Sequence, residues 1–345
     1  MPSSAVAKDW SELFELDPAQ PLPFAINRVE TRDFDQFANV LASWNTSIDQ
    51  ITSGSFHGSV CLASAGGCQY FHLTMNQSLE IKGRDDVGGF LFLPIHDGNF
   101  RSRHRTHGLE KGTLGILIPE QRINHFSAPN SQTSGFKVPG PLVESIGRLY
   151  GHDNAVQIFR NQALIGIGEE KTRQLHCELT EELNHLAGSP ATRAPTNLLR
   201  MTAELIRDLL DATLERKEFF ELDARRALFF RVIDMIKSRL NERITIQPIC
   251  DEVDISRRTL INLFQDMIRM TPMRYTRALR FNQIRRDLKQ VADKSAVIHD
   301  IARNWGIEYS GVFAAEYKKH FGELPSATAH RFCTDQSQTN QKATR

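Results

Sequence analysis

Cysteine is sparse and scattered in this 345-residue chain, at positions 61, 68, 177, 250 and 333, and no two of the five form a C-x-x-C pair. A disulfide framework or a thiolate metal site needs paired spacing, so these thiols read as reduced, mostly buried side chains of a cytoplasmic protein. Long apolar runs are missing too. No stretch reaches the roughly 18 apolar residues of a membrane-spanning helix, and Met1 to Asp17 has neither the basic start nor the apolar core of a secretory signal. The motifs of nucleotide and acyl-transfer chemistry are also lacking. Gly166-Ile167-Gly168 stops short of G-x-G-x-x-G, and neither a P-loop nor G-x-S-x-G occurs.

The chain also has little net charge: 42 Lys or Arg stand against 41 Asp or Glu, a balance of +1. That near-neutrality hides an asymmetry. Residues 225–332 hold 20 Lys or Arg and 12 Asp or Glu, a net of +8, whereas the remainder holds 22 and 29, a net of −7. A basic module attached to an acidic one is the electrostatic footprint of a polyanion binder, though charge alone does not separate DNA from RNA or a membrane surface.

Within the basic module the apolar spacing is helical and it repeats. Ile246, Ile249, Cys250 and Val253 fall on one face of a first helix, with Thr245 placed to cap it. A polar break at Asp254-Ile255-Ser256 follows, and Ser256 is placed to accept from the unpaired N–H groups of a second helix. Between Arg257 and Met267 the inward positions are Leu260, Leu263, Phe264 and Met267. Ser256, Arg257, Arg258, Thr259, Ile261 and Asn262 are left as candidate DNA contacts, with Gln265 on an outer face beyond them. Arginine can pair bidentately with guanine and asparagine with adenine, and the N-terminal end of such a helix normally reaches base edges. Solvated basic helix faces are common; it is the repetition that favours DNA. Val297 to Gly306 repeats the first helix with Gly306 at the turn, and Glu308 to His320 repeats the second, with Val312, Phe313 and Tyr317 expected to point inward. The joining segment, Met273 to Leu288, carries Arg274, Arg277, Arg280, Arg285 and Arg286. Some of these are expected on phosphate and others between the two units. For Arg280, flanked by Leu279 and Phe281, an ion pair with an acid of one unit competes with a DNA contact.

These residues resemble the AraC/XylS family of bacterial transcription regulators. The resemblance rests on Ser256, Arg258, Leu260 and Phe264, then Thr271-Pro272, Tyr275, Arg280, Ile301-Ala302 and Gly306, and closes with Phe313, Tyr317-Lys318-Lys319, Phe321-Gly322 and Pro325. It covers roughly residues 228 to 332. The runs Ser256–Leu260 and Phe313–Tyr317 look most like the family's ethanolamine-utilisation regulators, which would imply a small amine or alcohol as effector. The resemblance implies operator DNA and RNA polymerase as partners, activation as the outcome, and a β-barrel-like effector and dimerisation domain at the N-terminal end. Two positions depart from the family pattern. Met270 stands where a glycine is usual before Thr271-Pro272, and Ser310, Gly311, Ala314 and Ala315 stand where Gln, Thr and Arg are frequent. The first unit is therefore expected to supply most base readout, and the second to grip the backbone and read shape through Tyr309, Ser310, Lys318 and Lys319.

The N-terminal half reads as β. Short runs at 58–63, 69–74, 78–82, 89–94 and 112–118 are separated by Gly, Asp and Asn, after a short helix over Phe34 to Trp44. Helices are expected over Glu169 to Ala187 and Thr196 to Lys217. The apolar face of the second, Leu198, Met201, Leu205, Leu209 and Ala212 widened by Leu210 and Leu214, suits either a subunit interface or packing on the chain's own barrel.

The expected fold class is thus α+β and multidomain. A β-rich, barrel-like effector domain (1–160) precedes a helical linker or dimerisation segment (161–224), an all-α double helix-turn-helix domain (225–332) and a disordered tail (333–345). The leading function is a cytoplasmic, DNA-binding regulator that answers to a small molecule, without a cofactor, as a monomer or homodimer. A DNA-binding protein with a ligand-free N-terminal scaffold is the alternative. A metal-dependent cupin-type enzyme is disfavoured: of His96, His104, His107 and His125, the middle two sit among Arg101, Arg103 and Arg105, and no H-x-H appears.

Overall fold

The fold was taken from a computed structural model, which describes residues 10–14, 24–42, 44–84, 88–96, 101–102, 111–119, 122–162, 164–188, 195–215, 224–242, 244–290 and 297–330. In chain order the strands are β1 (Phe24–Thr31), β2 (Thr46–Gln50), β3 (Gly58–Ala65), β4 (Cys68–Met75), β5 (Leu79–Arg84), β6 (Gly89–Ile95), β7 (Arg101–Ser102), β8 (Thr113–Leu117), β9 (Arg122–Phe126), β10 (Ser131–Pro139) and β11 (Leu164–Gly166). The helices are α1 (Phe34–Ala42), α2 (Gly140–Tyr150), α3 (Ala155–Asn161), α4 (Glu169–Gly188), α5 (Thr196–Glu215), α6 (Ala224–Ser238), α7 (Ile246–Val253), α8 (Arg257–Ile268), α9 (Pro272–Gln290), α10 (Val297–Asn304) and α11 (Gly311–Phe321). The result is a β-rich N-terminal region followed by a helical C-terminal one.

The strands form two antiparallel sheets, one ordered β1-β3-β4-β10-β6-β8-β11 and the other β2-β5-β9-β7. Register is pinned by the β3–β4 hairpin, where Ala65 pairs with Cys68 across Gly66 and Gly67. Both glycines have positive φ, as a two-residue hairpin loop with the twist of its strands demands. On one face of the larger sheet, Tyr70, Phe90, Phe92 and Phe136 pack under α4 and α5 with Leu179, Leu183, Leu198, Leu205 and Leu209. Tyr70 Oη lies 2.8 Å from Thr202 Oγ1, and Ser134 Oγ lies 2.7 Å from His176 Nδ1, fastening one helix each. The apolar face of α5 is therefore packed within the chain, against α2, α3, α4 and the Tyr70 side chain of the sheet. The opposite face of that sheet packs Phe71, Leu73 and Met75 against Phe37 and Leu41 of α1.

The C-terminal region has two cores strung on α9. Tyr275 and Leu279 join Phe229, Phe230, Ile233, Ile249, Leu260 and Phe264 in the first; Phe281, Ile284 and Leu288 join Ile301, Phe313 and Tyr317 in the second. Ile51 and Phe126 of the β-rich region belong to the first core, so the two regions share apolar packing as well as charge. Cys333 and the rest of the tail lie outside the described residues.

Candidate functional site

In the first helix-turn-helix unit, α7 ends at Asp254 in the left-handed conformation, φ 53°, a position short polar side chains tolerate. Ser256 then caps α8, its hydroxyl accepting from the Thr259 N–H at 3.1 Å. Thr245 occupies the cap position of α7, yet its hydroxyl makes no capping hydrogen bond, so only the position of that expectation holds. Leu260, Leu263 and Phe264 are buried and Met267 is half-buried. Arg257, Arg258, Thr259, Asn262 and Gln265 are exposed, with Ile261 half-buried beside them. The departure at Met270 is absorbed one residue earlier. Arg269 takes the left-handed C-cap, φ 57°, and the Met270 side chain turns into the core.

The second unit has the same plan with different residues at its bends. Gly306, φ 66°, makes the turn after α10, and Gly322, φ 82°, closes α11. Ser310 caps α11, its hydroxyl accepting from the Phe313 N–H at 3.3 Å. Phe313 and Tyr317 point inward as expected. Val312 does not: it is 66% exposed, because the Phe313–Tyr317–Phe321 row sets the inward face and Val312 falls about 100° away from it. Tyr309, Lys318 and Lys319 are also exposed.

The arginines of α9 are mostly engaged within the protein. Arg277 pairs with Glu316 of α11. Arg280 is structural but meets no acid: it donates to the carbonyls of Leu240 at 3.0 Å and Gly306 at 3.2 Å, and to that of Glu242. Arg285 binds Asp35 of the β-rich region at 2.7 Å and Glu323 at 2.6 Å, and Arg286 binds Asp49. Burial would raise the carboxyl pKa of Asp35 and Asp49, but the paired cations, Arg285 and Lys289 on one and Lys82 and Arg286 on the other, hold both below the ordinary range. Glu80 completes the seam through Lys237 of α6 and the Tyr275 hydroxyl, which donates to it at 2.9 Å. Gln50 donates to the His320 carbonyl at 2.7 Å, and its backbone accepts from Asn282 at 2.8 Å. The β-rich region thus touches both units. The partners across the two regions lie more than 150 residues apart in sequence, so no local pattern pointed to them.

The two sheets enclose an apolar cavity with an empty volume of about 670 Å³, its open mouth included. Trp44, Phe71, Leu91 and Leu117 line it with Ile81, and His125, Thr46 and Thr133 supply polar atoms. Burial pushes the His125 imidazole down to about 4, so it is neutral. Among the described residues, no Asp, Glu, Lys or Arg lines the space. Adjacent residues of the smaller sheet face opposite ways. Ile81 and His125 look into the cavity, while Glu80 and Phe126 meet the helical region. Of the remaining histidines weighed for a metal, His96 stacks on His176 with centroids 3.8 Å apart, a parallel arrangement in which two ring lone pairs do not converge on one ion; His104 and His107 lie outside the described residues.

Comparison with known proteins agrees with this geometry. The family model described as a helix-turn-helix domain matches residues 249–331. A probable thc operon regulatory protein of Rhodococcus erythropolis is 33% identical over 94 residues, 27% of this chain and 28% of that protein. A XylDLEGF operon transcriptional activator of Pseudomonas putida is 28% identical over 148 residues, 43% of this chain and 44% of that protein. The chain thus spans about a quarter to under half the length of these two relatives. Among solved structures, a probable AraC family transcriptional regulator from Rhodopseudomonas palustris is 27% identical and covers 31% of this chain and 97% of its own, with a TM-score of 0.29. The paired units define a helix-turn-helix protein. Its C-terminal region is similar to those of the XylDLEGF operon transcriptional activators.

Proposed function

We propose that the chain is a cytoplasmic, sequence-specific DNA-binding regulator that activates transcription in response to a small molecule. The observation that carries this reading is the mounting of two capped recognition helices on one shared helix, with the outer face of each in solvent. In this reading Arg257, Arg258, Thr259, Ile261 and Asn262 face base edges, while Ser256 sets the helix that carries them. Tyr309, Ser310, Lys318 and Lys319 form the contact surface of the second unit. Operator DNA and RNA polymerase are the partners. The domain plan is an effector domain over 1–160, built barrel-like around the cavity, a linker over 161–224, the DNA-binding domain over 225–332 and a tail over 333–345. A homodimer would use the outward faces of α4 and α5, their inward faces being occupied.

The cavity suits a compact apolar effector bearing one or two hydrogen-bonding groups. Among the described residues of the lining no carboxylate stands ready for the ammonium of a small amine such as ethanolamine, whose burial against them would carry a large desolvation cost. The smaller sheet links the two sites, since it is the wall of the cavity and the anchor of the helical region at once. A ligand acts through it only by preferring one arrangement of that wall.

Genome-wide recovery of DNA fragments bound by the purified protein tests the reading. Two sequence blocks about one helical turn apart, roughly 34 Å, are expected, with affinity falling steeply as salt rises. Diffuse binding without a motif would refute sequence-specific regulation. Thermal melting with apolar candidates drawn from the neighbouring genes' chemistry then tests the effector: a specific ligand raises the midpoint, and a ligand-free scaffold does not respond.

A further inference from the structure

Four large apolar side chains are exposed among the described residues, Met273, Tyr309, Val312 and Leu324, and two of them flank the start of α11. Val312 sits on the first turn at 66% exposure. Ala315, also exposed, lies one turn further along the same face, and Lys319 one turn beyond that. Tyr309 precedes the cap. Its ring is 46% exposed yet fixed in place, with centroids 5.7 Å from Phe313 and 5.9 Å from His299. The polar groups that would otherwise serve this face are spent or absent: the Ser310 hydroxyl accepts from Phe313, and Gly311 has no side chain. Of the acids nearby, Glu308 lies ahead of the cap, and Glu316, one turn beyond Val312, is paired with Arg277.

The head of α11 is therefore apolar at its centre and cationic at its far end, where Lys318 and Lys319 are exposed. In the major groove the C5-methyl of thymine is the one apolar group a base pair offers. An isopropyl group pressed on the edge of a G·C pair would strip water from the cytosine amino group and return no hydrogen bond. On a thymine methyl it removes apolar surface from water on both sides. We infer that the second unit reads DNA by thymine methyl groups, with Val312 as the principal reader and Ala315 and Tyr309 beside it. This rests on the DNA-binding reading above and replaces, for this unit, reading by shape alone. The first unit reads by hydrogen bonds from Arg258 and Asn262, so the two halves of the operator differ in chemistry: G·C or A·T edges in one, methyl-bearing thymines in the other.

Exchange of thymine for deoxyuridine tests this, because it deletes the methyl and leaves pairing and every hydrogen-bonding atom in place. Binding of the full chain to its recovered operator is measured with each thymine replaced singly, for the wild type and for Val312→Ala. One or two positions in one block should weaken binding about fourfold each in the wild type, the worth of a buried methyl. Val312→Ala, being on the surface, should melt as the wild type does and lose that penalty at the same positions. A wild type indifferent to uracil throughout that block, or a Val312→Ala variant retaining the full penalty, would overturn the inference while leaving sequence-specific binding intact. Recovery of no motif at all would instead remove the DNA-binding reading, and this inference with it.

Discussion

The two helix-turn-helix units share a backbone plan and diverge in what they do with it. Each turns through a left-handed residue, is capped by a serine and ends in a left-handed C-cap. The first makes those bends with Asp254 and Arg269, the second with Gly306 and Gly322. Glycine is required in the second because neighbours crowd it: a Cβ on Gly306 would lie 3.1 Å from the Arg280 guanidinium, and one on Gly322 would lie 2.5 Å from Ser55 Oγ. The first unit stands free enough of such contacts to carry side chains at its bends and to project Arg257, Arg258 and Asn262 outward. The second meets the β-rich region at its closing bend and presents a smoother face, whereas the first meets that region through its core, at Ile51, Phe126 and Glu80. The difference teaches that reading chemistry and tethering are distributed unequally between repeats with the same fold.

The largest way to break that asymmetry is at Arg285. It is buried and bridges Asp35, Glu323 and Thr328. Arg285→Ala would take the guanidinium from the buried Asp35 carboxylate and leave Lys289 beside it, and a loss of about 3 kcal/mol, the low end for a broken buried pair, is expected. Hydrogen exchange should show α10 and α11 losing protection while α7 and α8 keep theirs; equal loss in both would mean the tether is not specific to the second unit.

Acid should loosen the same contact. The His320 ring, against the Gln50 carbonyl at 3.0 Å, is pushed by burial down to about 4, and so stays neutral when folded. The unfolded chain binds that proton near pH 6.5, so stability is complete above this value and declines as pH falls toward 4, by on the order of 3 kcal/mol. His125, also lowered to about 4, and His176, lowered to about 3, add slopes of the same sign. Melting points between pH 7 and 4 should fall for the wild type and flatten in part for His320→Gln; an unchanged slope would show the ring is not the titrating group.

Smaller effects sharpen the contrast at the bends. Gly306→Ala should cost about 1–2 kcal/mol for forcing a Cβ into the left-handed region. Arg269→Gly should stabilise by up to about 1 kcal/mol, since glycine is favoured at that cap. Chemical denaturation of both variants checks the signs; a destabilised Arg269→Gly would mean the Arg269 side chain contributes more than its backbone costs.

Much of the helical region was legible in sequence, because caps, glycine turns and apolar spacing are local signals. Ser256, Gly306 and the inward rows of α8 fell where expected. Val312 was misplaced because it adjoins Phe313, and spacing alone does not say which neighbour lies on the axis of the face. In the β-rich half, five strands and α1 were readable, whereas β10, written Ser-Gln-Thr-Ser-Gly-Phe-Lys-Val-Pro, carries too little alternating apolarity to stand out, although it is central to its sheet. By sequence alone Arg280, Arg285 and Arg286 suit positions between units or on phosphate. Their true partners are carbonyls and acids brought close only by the tertiary fold. The cavity was equally hidden, since its lining comes from α1, Trp44 and seven strands.

The most direct test of the account is a comparison of recovered binding motifs for the wild type and the Arg258→Ala/Asn262→Ala variant. Each bidentate base contact is worth about 1–3 kcal/mol of discrimination. The account predicts that the variant loses sequence preference in one block and keeps its thymines in the other, one turn away. Retention of both blocks, or loss of both together, would contradict the division of reading between the two units.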